Sequence, residues 1–261
     1  MTKEGSIFFA SDFHLGVPNY EKSREREDRI INWLNSVEDR MTELFLVGDV
    51  FDFWFEYKHV APRGHVRLLG KLAELSDKGI PIHFFKGNHD MWTFGYLEQE
   101  IGLKVYDGDI QIERQGKKIY IGHGDGNGPG DRAYKFMKAF FRSSFCQWLF
   151  ARLHPNLGMG IANYWSKKSR LANMEKDETY YGEKEALWQF VQEEQQKSAQ
   201  DYYIFGHRHL PLDLKLEDGA RYVNLGDWVF YNTYGELRNG QLELKEFTET
   251  AEASSTNPSN D

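Results

Sequence analysis

IHFFKGNHD, residues 82–90, decides how the rest of the chain is read. Ile82–Phe85 is short and apolar enough for a buried strand, and it runs straight into Gly87, Asn88, His89 and Asp90. A loop needs only one turn former at that point. Taken alone, Gly-Asn-His-Asp is a common turn, because Asn and Asp suit turn geometry and glycine accepts positive φ. The pattern recurs, however. Ile7–Ala10, Leu44–Val47, Ile119–Ile121 and Tyr202–Phe205 are further short apolar runs, and each ends in a polar cluster: SDFH with Asp12 and His14, GDVFDFW with Asp49, GHGD with His123, and GHRH with His207 and His209. The helix-like stretches Arg24–Val37 and His65–Ser76 separate the first three runs. This alternation predicts βαβ units around a sheet buried on both faces, and so an α/β fold.

With 261 residues, 40% hydrophobic and 15% aromatic, the chain can build one sizeable core and reads as one globular domain. Its single cysteine, Cys146, can form neither an intrachain disulfide nor a Cys-rich zinc site. The expected address is therefore the cytoplasm, and any metal must be held by His, Asp and Asn. Ile7–Ala10 is too short for a signal-peptide core, and no run approaches the roughly 20 residues of a membrane span. A formal charge of −8 argues against binding nucleic acid, although a local patch can still attract anions. Short strand-like runs return over Lys215–Phe247, and 248–261, closing in TAEASSTNPSND, has the composition of a disordered tail.

In open α/β sheets, ligands bind outside the carboxyl ends of the strands, so the five clusters are expected to meet at one edge. Together they offer seven candidate metal ligands: Asp12, His14, Asp49, Asn88, His123, His207 and His209. Carboxylate, amide and imidazole in this mixture suit Mn²⁺, Fe²⁺ or Zn²⁺ better than a thiolate site or a calcium cage. Seven ligands are too many for one ion. They suit two ions about 3.5–4 Å apart, the arrangement used for displacement at phosphorus. A lone Asp-x-His after a strand is usually a turn with a helix cap; the conjunction carries the reading, since five of the nine histidines fall in these clusters. His59, His65, His83 and His154 have no such setting and are expected on the surface or in the core.

Asp12-x-His14, Gly48-Asp49, Gly87-Asn88-His89-Asp90, Gly122-His123 and Gly206-His207-x-His209 resemble the complete motif set of the calcineurin-like metallophosphoesterases, over residues 12 to 209. The resemblance implies a β-sandwich flanked by helices, holding two divalent ions with Mn²⁺ the expected metal. Asp12, His14, Asp49 and His209 would hold one ion, and Asp49, Asn88, His123 and His207 the other. Asp49 would bridge them. His89 would face the phosphate, with Asn88 and His207 also on the substrate side, and Asp90 would fix the turn.

Between Arg132 and about Glu194 the rhythm changes to a long helical pattern in which Phe136, Phe140, Phe141, Phe145, Trp148 and Leu149 recur at helical spacing. From Asp131 to Lys176 there are nine Lys or Arg against two acids, a local balance of +7. Such a segment suits an anionic membrane surface or an acyl chain taken from it; a hairpin packing its stripe on the core is the alternative. The expected division is a core of 1–130 and 195–247 with a helical lid, 131–194. The order of GDVFDFW, GNHD, GHGD, the helical insert, GHRH and VNLGDWV is similar to the UDP-2,3-diacylglucosamine diphosphatases of bacterial lipid A synthesis. That resemblance implies a lipid-linked nucleotide-sugar substrate, cleaved at the α-phosphorus to UMP and 2,3-diacylglucosamine 1-phosphate, at the inner face of the inner membrane. It also implies substrate contacts from Asp131, Ser169, Asn173 and Lys176, the last three in the pattern Ser169-x-x-Ala172-Asn173-x-x-Lys176. The better-known branch of that family carries Arg at the position of His89, giving GNRD. Two other readings stand beside this one: a hydrolase of soluble phosphodiesters or nucleotides, and a scaffold without catalysis. Neither nucleic acid nor an obligate protein partner is expected.

Overall fold

The computed structural model describes residues 5–130, 132–162, 164–166 and 179–249. Two sheets pack face to face. The first has the order β11-β10-β1-β2-β3-β4 and the second β5-β6-β7-β9-β8. In the first, β1 (Ser6–Ala10), β2 (Met41–Leu46), β3 (Ile82–Phe85) and β4 (Lys104–Tyr106) run parallel, joined by α1 (Tyr20–Val37), α2 (Val66–Asp77) and α3 (Tyr96–Glu100). The antiparallel pair β10 (Thr233–Arg238) and β11 (Gln241–Glu246) extends that sheet beyond β1. In the second sheet β6 (Lys117–Gly122), β7 (Tyr202–Phe205) and β9 (Arg221–Leu225) are parallel, with β5 (Ile110–Arg114) and β8 (Pro211–Lys215) antiparallel at the edges.

Successive side chains of a strand point to opposite faces, and β1 uses both. Ile7 and Phe9 join Phe45, Val47 and Phe85 against Ile119, Ile121, Ile204, Val223 and Leu225 of the second sheet. Phe8 and Ala10 turn the other way, onto Trp33 and Leu34 of α1 and Leu68 and Leu72 of α2. The β-sandwich flanked by helices that the motif resemblance implies is what the chain builds: the five apolar runs divide between two sheets, and the first is buried by helices on one face and by the second sheet on the other. A run apolar on every residue reads the same whether helices or another sheet cover it. α1 also starts earlier than expected, at Tyr20, because Asn19 Oδ1 caps it by accepting the Lys22 N–H at 2.9 Å.

Glu43 on β2 lies in a buried ion cluster that ties the sheets together. Its carboxylate accepts from Arg114 Nε of β5 at 2.7 Å and lies 2.7 Å from His83 Nε2 of β3. Burial pushes the Glu43 carboxyl up, but His83 and Arg114 outweigh it and bring it down to about 2 from 4.5. A depressed folded-state value adds stability above the unfolded value that is lost as pH falls through the folded one. Wild type should therefore melt a few degrees above Glu43→Gln at neutral pH, and thermal melts should show that difference closing between pH 4.5 and 2.

Residues 132–197 add α4 (Arg132–Arg142), α5 (Ser144–Phe150) and α6 (Ala186–Lys197). Leu187 and Val191 of α6 pack on Tyr203, Phe205 and Tyr222 of the second sheet. α4 and α5 are anchored by Phe141, Cys146 and Phe150 on Phe55 and Trp92, and Trp92 Nε1 donates to the Phe141 carbonyl at 2.8 Å. The rest of their apolar stripe points away from the core, with Phe136, Phe140, Phe145, Trp148 and Leu149 exposed.

Candidate metal centre and active site

β1 delivers Asp12 and His14 just past its end, β2 Asp49, β3 Asn88 and His89, β6 His123, and β7 His207 and His209. Parallel neighbours bring their carboxyl ends to the same edge, so the two sheets place all eight residues together. Asp12 Oδ1 lies 3.2 Å from His209 Nε2 and 3.5 Å from His14 Nε2, and those two nitrogens are 3.0 Å apart. On the other side Asp49 Oδ2 lies 3.2 Å from His123 Nε2 and 3.9 Å from His14 Nε2, so it faces both halves. Asn88 Oδ1 stands 3.3 Å from His123 Nε2, and the His207 ring centroid is 5.3 Å from that of His123. Asp12, His14 and His209 can bring one donor atom each within 4.8 Å of the others; so can His14, Asp49 and His89, and so can Asp12, Asp49 and His123.

Carbonyl oxygens only accept, which fixes two imidazoles. His123 Nδ1 donates to Val47 at 2.9 Å and His89 Nδ1 to the Asp52 carbonyl at 2.7 Å, leaving each Nε2 for the site. Asp12, His14 and Asp49 are essentially inaccessible to solvent. Among the described residues, Asp12 Oδ1 accepts no hydrogen bond. A buried carboxylate oxygen without a donor is costly unless a cation meets it. Burial pushes Asp12 and Asp49 up, yet the imidazoles around them, His209 for Asp12 and His123 for Asp49, hold both well below the usual carboxylate range. Burial lowers His123, but Asp49 outweighs it and raises it. Burial and then His123 bring His207 down to about 4, which keeps it neutral and able to donate a lone pair. The donor set therefore fits divalent cations of intermediate hardness.

The backbone is bent to make this cluster. Asp12, His14, Asp49, His207 and His209 hold φ of 55°, 45°, 53°, 67° and 56°, a region residues with side chains seldom enter and one that collects at functional sites. The motif glycines answer a second demand, close approach. A Cβ on Gly87 would stand 2.1 Å from Asp49 Oδ1, and one on Gly48 2.4 Å from His123 Nδ1. Asp90 straps the β2 and β3 loops: Oδ1 accepts from Gly87 N at 2.7 Å and Oδ2 from Val50 N at 2.8 Å. Burial, then Asp49, lift its carboxyl to about 7.

Three acids outside the expected set also belong here. Asp227 Oδ2 faces His209 Nδ1 at 3.7 Å while Oδ1 accepts from Phe230 N at 2.9 Å. Asp52 Oδ1 faces His14 Nδ1 at 3.6 Å, and Asp125 pairs with Lys138 Nζ at 2.7 Å. Each was signalled in the sequence by a Gly-Asp or Asp at a strand end, in LGDW, GDVFD and GHGD. Asp131, Ser169, Asn173 and Lys176 lie outside the described residues.

Residues 5–211 match the calcineurin-like phosphoesterases, and the chain belongs to that family, whose members use a dinuclear metal site. Among curated relatives, a UDP-2,3-diacylglucosamine hydrolase of Porphyromonas gingivalis is 40% identical, over 92% of this chain and 96% of that protein. Another of the same name, from Aeromonas hydrophila, is 25% identical over 92% and 98%. Among solved structures, an archaeal phosphodiesterase aligns with a TM-score of 0.47 at 13% identity, over 92% of this chain and 98% of that one.

Proposed function

We propose that this chain hydrolyses UDP-2,3-diacylglucosamine at the α-phosphorus, giving UMP and 2,3-diacylglucosamine 1-phosphate, with two Mn²⁺ ions at the donor cluster. The observation that carries the lipid reading is the exposed aromatic face of α4 and α5, a helix pair whose Tyr134 ring stands 6.4 Å from that of His207: Phe136, Phe145 and Trp148 are 78%, 63% and 52% exposed. A purely structural hairpin turns such a stripe inward, whereas acyl chains would cover it from outside. The name shared by the Porphyromonas and Aeromonas relatives supports the same substrate. In this reading 1–130 and 195–247 are the hydrolytic core and 131–194 the lid, whose Asp131, Ser169, Asn173 and Lys176 meet the sugar phosphate. The basic balance of the lid suits an anionic membrane surface, which the enzyme approaches peripherally from the cytoplasmic side. No helix among the described residues is long and apolar enough to cross a membrane.

Asp12, His14, Asp49 and His209 would hold one cation, and Asp49, Asn88, His123 and His207 the other. Bound there, the cations supply the Lewis acidity that makes water a nucleophile at neutral pH. Asp49, facing both halves of the donor cluster, would serve both. His89 is committed through Nδ1 to the Asp52 carbonyl, so its Nε2 meets a phosphoryl oxygen and stabilises the charge that develops there. Burial of the carboxylates excludes bulk water and strengthens these interactions.

His89→Ala should keep two metals by elemental analysis and lower kcat on the order of 10²-fold, the usual cost of one such donor. Loss of metal in that variant would assign His89 to ligation instead. The function itself is tested by Mn²⁺-supplemented turnover of UDP-2,3-diacylglucosamine beside UDP-glucose, a CDP-alcohol and bis-p-nitrophenyl phosphate. Preference for the diacylated sugar nucleotide, with UMP as product, is expected. Equal or better turnover of a soluble diester would replace this reading with that of a soluble phosphodiesterase.

A further inference from the structure

Asp52 touches both the hydrolytic centre and the insert. It is 3% exposed and sits three residues beyond Asp49, where its N–H bonds the Leu15 carbonyl at 3.0 Å. Its carboxylate oxygen Oδ1 faces His14 Nδ1 at 3.6 Å and His89 Nδ1 at 3.7 Å, and its carbonyl accepts the His89 Nδ1–H at 2.7 Å. The other carboxylate oxygen, Oδ2, accepts the hydroxyl of Ser166, itself 8% exposed. Among the described residues, this is the one side-chain hydrogen bond that joins 151–166 to the two-sheet core. Ser166 stands beside Trp165, whose ring meets Phe141 of α4 edge-on at 6.4 Å. The hydroxyl therefore lies where the insert's aromatic packing meets the imidazoles of the site.

We propose that Asp52 is a positioning residue that couples the insert to the metal centre through Ser166. A carboxylate facing the far nitrogen of a metal-binding imidazole biases its tautomer and ring plane, and here the side chain that faces His14 Nδ1 at 3.6 Å is held in place by the insert. Because one carboxylate serves both, placement of the insert and orientation of His14 and His89 share one free energy, and such coupling acts equally in both directions. Filling the metal centre fixes His14, then Asp52, and so tightens 151–166; seating a substrate against the insert holds Asp52 and keeps His89 aimed at the phosphoryl group. Asp52 and Ser166 are outside the donor set assigned above to the cations and the phosphate. The proposal rests on the metal and phosphate roles assigned above to His14 and His89.

The test measures hydrogen–deuterium exchange of 151–166 in wild type, Ser166→Ala and Ser166→Thr, each without metal and with saturating Mn²⁺, alongside metal content. In wild type and Ser166→Thr, Mn²⁺ should slow exchange of this segment at least fivefold. In Ser166→Ala, which should still bind two ions, Mn²⁺ should slow it less than twofold. Equal protection by metal in Ser166→Ala, or none in wild type, overturns the coupling. Kinetics supply the reverse direction: Ser166→Ala should lower kcat for the diacylated substrate about tenfold, leave bis-p-nitrophenyl phosphate within twofold, and be rescued by Ser166→Thr. A parallel fall in both activities together with the melting temperature assigns Ser166 to packing alone and overturns the proposal. Failure of the wild-type protein to turn over the lipid removes the substrate reading, and the exchange comparison still decides the coupling.

Discussion

Asp49→Asn should abolish hydrolysis, by on the order of 10³-fold or more in kcat, because a single change disturbs both halves of the centre. Asp49 Oδ2 stands 3.2 Å from His123 Nε2 and 3.9 Å from His14 Nε2, so one carboxylate oxygen faces both halves. An amide in its place contributes one weak oxygen ligand and no charge, so at least one ion should be lost, which elemental analysis reads directly. Folding should survive, because Asn Oδ1 can still accept the His89 N–H that Asp49 Oδ1 accepts at 2.8 Å. Turnover within a few-fold of wild type, with one metal or two, would sink the two-ion reading.

Removing the acyl chains from the substrate should cost nearly as much. Each buried methylene is worth about 0.8 kcal/mol, so six of them against α4 and α5 would supply roughly 5 kcal/mol, more than three orders of magnitude in kcat/KM. UDP-glucosamine should be a correspondingly poor substrate. Phe136→Ala and Trp148→Ala should lower kcat/KM for the diacylated substrate and leave a small diester nearly untouched, because both side chains face outward. Phe141 is a poorer probe: its ring packs against Trp92, so truncation there would unsettle the insert itself. If UDP-glucosamine is hydrolysed as well as the lipid, acyl recognition is not what this face does.

The donor cluster was legible in the sequence for a physical reason. A residue that must sit just past the end of a strand, in a turn, leaves a local signature, and Asp12, His14, Asp49, Asn88, His123, His207 and His209 all do so. The residues that orient them leave less. Asp52 and Asp227 face imidazoles contributed by other loops, a relation that appears only when the chain is folded. The strands were legible as apolar runs, but the division into two sheets was legible only through the motif resemblance, because pairing partners are set by long-range contacts. Ile119 and Phe45 meet across the sandwich from opposite sheets, and nothing in either run names the other. β4 and β5 were missed because their alternating, half-exposed residues, as in Ile110–Arg114, look like loop beside the fully apolar strands.

The glycines of the site have a bearing on how such a protein can change over generations. Gly87 abuts Asp49, Gly48 abuts His123, and Gly206 abuts Asp12, where a methyl group would lie 2.5 Å from Oδ2. Three of the five motifs thus occupy space that another motif's donor needs, as teeth of one gear fill the gaps of the next. A mutation that enlarges one of these glycines dislodges a residue from a different part of the chain, so single-step drift within the set is blocked from several directions at once.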